Sequence, residues 1–197
     1  MAVELDVGQP ILLVPGEGEV VGDSSAVKRL ELLCDRDELH ATWTRMGAGL
    51  DGAAPHIHRN HSDLFYVLEG ELTFLVGPDR EERVLSAGTL ALAPPLVVHG
   101  FRNGSADSEA RYLNFHAPGG GFADYLRGVA VGFDSEDPPA DGGRPAAEAV
   151  VVLPGTGGVL VDRPEIRIEV RDEPAPASNR LTCLYALEDG RFLQIQA

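Results

Sequence analysis

Short apolar or alternating runs, each closed by glycine, proline or aspartate, follow one another along most of the chain: PILLVPG, VKRLELLC, LHATWTRM, DLFYVLEGELTFLVG, RVLSAGTLALAPP, VVHGFRN and ARYLNFHAP. Runs of this length with period-two alternation predict antiparallel strands, and their close spacing predicts an all-β sandwich or barrel. One helix is expected in this part, over about 122–131, where Phe122, Tyr125, Leu126 and Val129 fall on one face behind the glycines at 119–121.

The pattern breaks at 134–149. There DSEDPPADGGRPAAE combines acidity, proline and glycine without an apolar period, which predicts a flexible, exposed linker. Beyond it, VVVLPGTGGVLVD at 150–162 echoes ILLVPGEGEVVGD at 11–23, with Pro154, Gly155 and Gly157 matching Pro15, Gly16 and Gly18. The later IRIEVRD likewise echoes VKRLELLCD, so 150–197 reads as a partial internal repeat. About fifty residues make an uncomfortable domain alone, so this C-terminal β extension is expected to add strands to the main sheets or to a partner subunit. The resulting division is 1–133 as a barrel, 134–149 as linker and 150–197 as extension.

Composition narrows the function more than the fold. With 197 residues the chain suits one domain with an appendage, and its 23 glycines and 14 prolines fit a turn-rich β protein. A formal charge of −15 repels phosphate backbones and anionic lipid, so neither nucleic acid nor a membrane surface is an expected partner. The opening MAVELDVGQP has no basic segment followed by an apolar core, and a cytoplasmic location is the default expectation. Cys34 and Cys183 lack CxxC spacing and are expected to be small buried apolar residues.

The chemistry gathers in PHIHRNHSDLFYVLEGEL, residues 55–72, which holds three of the six histidines. If 55–59 is extended, His56 and His58 point the same way; on the next strand Asp63, Phe65 and Val67 share a face. HGFRN adds His99, with Phe101 on its side of the strand. Imidazoles with one carboxylate suit iron, nickel, zinc, manganese or cobalt, and donor type alone does not choose among them.

At these residues the chain resembles the cupin superfamily, whose motifs are G(X)5HXH(X)3-4E(X)6G and G(X)5PXG(X)2H(X)3N. The first is met by His56, His58, Asp63 and Gly70, and the second by Gly88, Pro94, His99 and Asn103, the resemblance covering about 40–116. Three positions depart from it. Leu50 stands where a leading glycine is usual, flanked by Gly49 and Gly52; Leu96 replaces a glycine, so ordinary backbone is expected there; and Asp63 replaces glutamate, one methylene longer. Asp63 could ligate directly, through water, or leave a three-histidine site.

The resemblance implies a double-stranded β-helix, the small jelly-roll barrel, holding one divalent transition metal on His56, His58, Asp63 and His99. Phe65, Val67 and Phe101 would make the pocket wall apolar. The implied function is a metal-dependent, oxygenase-type reaction on a small organic molecule, like that of quercetinase-like cupins. Alternatives are a non-catalytic small-molecule binder or metal-stabilised cupin, and an isomerase or epimerase, which a cationic pocket with Arg45, Arg59 or Arg102 would favour. Asp63 and His61 are the candidates for a general base; His61 could also ligate the metal in place of the shorter Asp63, and otherwise reads as an exposed turn residue. His40 and His116 are expected to be structural or on the pocket rim, and Trp43 in the core or barrel wall. A homodimer is the expected assembly.

Overall fold

The computed structural model describes residues 11–13, 16–21, 27–129, 132–154, 160–162, 166–174 and 180–197. In chain order its elements are β1 (Ile11–Leu13), β2 (Glu19–Val20), β3 (Lys28–Asp35), β4 (His40–Met46), β5 (Ser62–Glu69), β6 (Glu71–Val76), β7 (Glu81–Ser86), β8 (Leu90–Ala93), β9 (His99–Arg102) and β10 (Ala110–Ala117). These are followed by α1 (Phe122–Leu126), a 3-10 turn (Ala146–Glu148), β11 (Val150–Val152), β12 (Leu160–Asp162), β13 (Arg167–Arg171), β14 (Thr182–Ala186) and β15 (Phe192–Gln196). The protein is thus mostly β with one short helix, as the alternation predicts.

The chain divides into two compact units. Residues 18–155 form one, and residues 1–17 with 156–197 form the other. In the larger unit a seven-stranded sheet runs β11-β8-β5-β10-β4-β3-β2, and a three-stranded sheet runs β7-β6-β9. This is the jelly-roll barrel. Its apolar core includes Met46, Phe65, Val67, Leu72, Phe74 and Leu85, all fully enclosed. In the smaller unit β1-β14-β15-β13-β12 make a separate sheet, with Ile168, Cys183, Leu193 and Ile195 buried.

Register fixes what the barrel interior presents. On β10, His116 lies opposite His40 of β4 and Asp63 of β5; Asn114 opposite Thr42 and Phe65; Tyr112 opposite Thr44 and Val67. Because side chains alternate across a strand, these nine share the inward face in three layers. The layers grade from polar to apolar. Trp43, between Thr42 and Thr44, therefore faces away from the interior and is only half-buried.

Two motif residues act on the backbone. Gly70 takes φ +71° in the β5–β6 turn, where a side chain would run into the Glu109 carbonyl. Asn103 donates from Nδ2 to the Gly47 and Ser108 carbonyls at 2.9 and 2.8 Å, and its Oδ1 accepts from the Ser105 N–H at 3.1 Å, tying the β9–β10 loop to the β4–β5 loop.

Four expectations change. Leu96 has φ +67°, so the left-handed conformation usual for the motif's glycine is kept by a residue that pays steric strain for it. Its N–H donates to the His58 carbonyl at 2.8 Å and its carbonyl accepts from Arg144 N–H at 2.9 Å, and these bonds hold the geometry. Leu96→Gly should accordingly change unfolding free energy by less than about 1 kcal/mol, relief of strain offsetting added chain entropy. A urea titration showing a loss above about 2 kcal/mol would contradict this.

The helix is shorter than its periodicity predicts. It stops at Leu126 because Gly128 takes φ +71° and donates its N–H to the Tyr125 carbonyl, a left-handed stop. Val129 is left 71% exposed, and residues 130 and 131 lie outside the described residues. The short helix packs Ala123 and Leu126 against Val21, Leu30 and Leu32, and Arg127 pairs with Glu19 at 2.6 Å and Asp35 at 2.7 Å.

Residues 134–149 do not hang free as a linker. Ile57 and Glu136 exchange backbone hydrogen bonds, and Val97 bridges to Arg144. The sequence pattern missed this because the segment's contacts are made by backbone and charged groups, not by an apolar stripe. The extension is divided too: β11 joins the barrel sheet through β8, whereas β12–β15 build the smaller unit with β1. The repeat partners 11–13 and 150–152 thus lie in different sheets, and Pro15, Gly155 and Gly157 lie outside the described residues.

Candidate metal centre

His56, His58, His99 and Asp63 come together at the polar end of the barrel, their donor atoms all within 4.8 Å of one another. An antiparallel bridge between His56 and His99 aligns the segment before β5 with β9. His56 Nε2 lies 3.2 Å from His58 Nε2, and Asp63 Oδ2 lies 3.2 Å from His99 Nε2 and 3.7 Å from His58 Nε2.

The outward nitrogens explain why the inward ones are free. His56 Nδ1 donates to the Ala54 carbonyl at 2.7 Å, His99 Nδ1 to the Val97 carbonyl at 2.9 Å, and His58 Nδ1 to the Asp134 carbonyl. A backbone acceptor holds the proton on Nδ1, so Nε2 of each ring turns a lone pair inward. Two imidazole lone pairs 3.2 Å apart repel unless a proton or cation lies between them, so this donor set fits a divalent transition metal.

Burial sets the charges. Desolvation pushes His56 down to about 4 and His61 and His40 down to about 3, and also lowers His116. These rings are therefore neutral at pH 7. Burial alone would raise the Asp63 carboxyl, but the imidazoles of His116, His58 and His99 hold it well below the usual carboxylate range. Asn114 Nδ2 donates to Asp63 Oδ1, fixing the shorter side chain in place.

The centre opens into a cavity of about 470 Å³, lined on its aromatic side by Phe101, Tyr112, Phe122, Tyr125 and Phe133. Asn114 and His116 stand beside the carboxylate, and Thr42 and Thr44 also line the cavity. Phe101 lines this cavity. Phe65 and Val67 do not: they share the inward face but are enclosed in the core against which Phe101 packs, Phe65 with its ring 5.0 Å from that of Phe101.

His61 is not an exposed turn residue. It is 1% exposed because it stacks on His58 at 4.0 Å and is covered by Phe133 at 4.9 Å. His116 is in the cavity wall rather than at the rim, 3.5 Å from Asp63 Oδ1. His40 is buried against the edge of Phe122. A signal for His116 exists in the sequence: Tyr112, Asn114 and His116 alternate with Leu113 and Phe115, so one strand face is polar yet flanked by core residues.

Asp134 had no such signal. Its carboxylate accepts from the N–H groups of Arg59 at 3.0 Å and Asn60 at 2.8 Å, while Arg59 forks onto Glu136 with two 2.7 Å contacts. These bonds hold the carbonyl that orients His58. Asp134→Ala is expected to weaken metal affinity about 10- to 100-fold, as loss of an orienting partner does. A competitive chelator titration giving an unchanged constant would remove Asp134 from that role.

Residues 42–116 match the family model described as a cupin domain. Among solved structures, KdgF from a Halomonas species is 23% identical over 53% of this chain and 89% of that chain, with a TM-score of 0.45. An RmlC-like cupin from Shewanella frigidimarina is 29% identical over 53% of this chain and 86% of that chain, with a TM-score of 0.44. No curated protein matches the sequence.

Proposed function

We propose, from the match of residues 42–116 to the cupin-domain model, that the chain is a metal-dependent enzyme acting on a small, partly apolar organic molecule in an oxygenase-type reaction. The observation that carries this is the meeting of three inward Nε2 atoms and one carboxylate at an aromatic-walled cavity of about 470 Å³. His56, His58, His99 and Asp63 would hold the ion. When bound, it supplies Lewis acidity toward a substrate oxygen and, if redox-active, electrons for dioxygen chemistry.

The protein's own part is positioning and exclusion of water. Phe101, Phe122 and Phe133 present apolar faces to a planar or aliphatic body, while Thr42 and Asn114 offer hydrogen bonds from the cavity wall. Asp63, held anionic, suits a cation better than a proton, so we assign it as a ligand. His61 is stacked on His58 and covered by Phe133, so we assign it no contact with substrate.

Among the described lining residues Lys28 is the cation. Arg45, Arg59 and Arg102 do not line the cavity, and the last two pair with Glu136 and Glu82, so the arginines that would favour the isomerase alternative lend it no support. No observation favours the non-catalytic alternative over the enzyme, and activity separates the two.

The test is elemental mass spectrometry on untagged protein purified without added metal, followed by an oxygen-consumption screen over small phenolic and dicarbonyl compounds. About one redox-active ion per chain with turnover of any of these supports the reading. One ion per chain and no turnover across the screen would favour a binding or metal-stabilised cupin. Sedimentation tests the homodimer that belongs to the same reading, which a 21.0 kDa species would exclude.

A further inference from the structure

The motif accounts for three of the six histidines, yet the other three, His40, His61 and His116, are also buried in this end of the barrel. Their nitrogens are poorly satisfied: His61 Nε2, His116 Nδ1 and both nitrogens of His40 have no hydrogen-bond partner. Buried polar atoms are rarely left so, and each unpaired one calls for a water, an ion or a ligand.

We infer that His61 and His116 form a second cation site beside the motif cluster, suited to a borderline ion such as zinc(II). Each ring has its other nitrogen turned to a carboxylate, His61 Nδ1 at 3.4 Å from Asp134 Oδ2 and His116 Nε2 at 3.5 Å from Asp63 Oδ1. That carboxylate–imidazole pairing directs the opposite nitrogen toward a metal in known sites. Here the opposite nitrogens are the unpaired His61 Nε2 and His116 Nδ1.

Ring geometry agrees. The two rings stand 5.0 Å apart at 79°, so lone pairs lying in their planes can meet at one point. Donor atoms of His58, His61 and His116 lie within 4.8 Å of one another. His58, however, stacks on His61 at only 29°, and near-parallel rings do not direct lone pairs to a common point. The site therefore has two protein donors and leaves its other positions to water or to a molecule in the adjoining cavity. Imidazole-only donors favour zinc or copper over calcium or magnesium. Phe122 and Phe133, 4.2 and 5.3 Å from the His116 ring, wall the site from solvent.

This inference does not depend on the proposed reaction. Full-length protein stripped with chelator and titrated with zinc(II), with bound zinc counted by elemental analysis after desalting, should hold two ions per chain. His61→Ala and the bulkier His61→Gln should each hold one, with unchanged circular dichroism, and His99→Ala should keep the second ion while losing the first. A wild-type count of one overturns the proposal. So does a count of two in both His61 variants, which would put the second ion on surface carboxylates, and so does loss of both ions in His99→Ala with the fold intact.

Discussion

His99→Ala protein, purified without added metal, is expected to retain less than about a tenth of the wild-type ion at the motif cluster and to bind it more than about 100-fold more weakly in a chelator competition. The ring is held from both ends: Nδ1 is fixed by the Val97 carbonyl at 2.9 Å, and Nε2 stands 3.2 Å from Asp63. No rotation brings another nitrogen to its place, since His58 Nδ1 is bound to Asp134 and His116 faces the other carboxylate oxygen. Removing the ring takes away one of four protein donors, and the remaining two imidazoles and carboxylate hold the ion more weakly than the full set. A small packing loss against Phe74 accompanies the change, so a thermal melt must show the variant folded. Wild-type metal content in a folded variant would mean that the motif histidines are not the ligands.

The second large effect is acid sensitivity of the metal-free protein. His56, His61 and His40 are held neutral by burial, at about 4, 3 and 3, and each takes up a proton on unfolding once pH falls below the ordinary histidine value near 6.5. A native value below the unfolded one means stability is full above about 6.5 and is lost as pH falls toward the native values. Each such ring contributes a slope of about 1.4 kcal/mol per pH unit within that window. Asp63 adds in the same direction at lower pH, because its carboxylate is stabilised in the fold. In excess chelator the melting temperature should therefore fall by roughly 10 °C or more between pH 7 and pH 5. Calorimetry giving a flat value across that range would show that these rings are hydrated in the metal-free state.

What the sequence made legible follows from what each signal encodes. Alternation reports which residues face inward, and it placed Asp63, Phe65 and Val67 on one face. It does not report which inward residues border open space, so Phe65 and Val67 read as cavity wall although both are enclosed in the core against which Phe101 packs. Motif spacing brought His56, His58 and His99 together because each lies on or beside a strand of fixed rise. His61 read as a turn residue because its cover, Phe133, arrives from a segment more than seventy residues later. Asp134 was hidden in an acidic, proline-rich stretch whose composition resembles a linker, since backbone hydrogen bonds leave no mark on composition. Leu96 kept a glycine's backbone because neighbouring hydrogen bonds outweigh a local preference.

The pairing of β1 with β14 has a consequence for synthesis. Residues 11–13 lie alongside residues 183–185 in parallel, so β1 waits for a partner about 170 residues later. At 5–20 residues per second that delay is roughly 10 to 30 s, far longer than closing a local hairpin takes. Every strand of the barrel unit leaves the ribosome inside that interval. The order of emergence therefore favours a barrel that forms first, while β1 stays an unpaired edge, open to chaperones or to another nascent chain, until β14 appears.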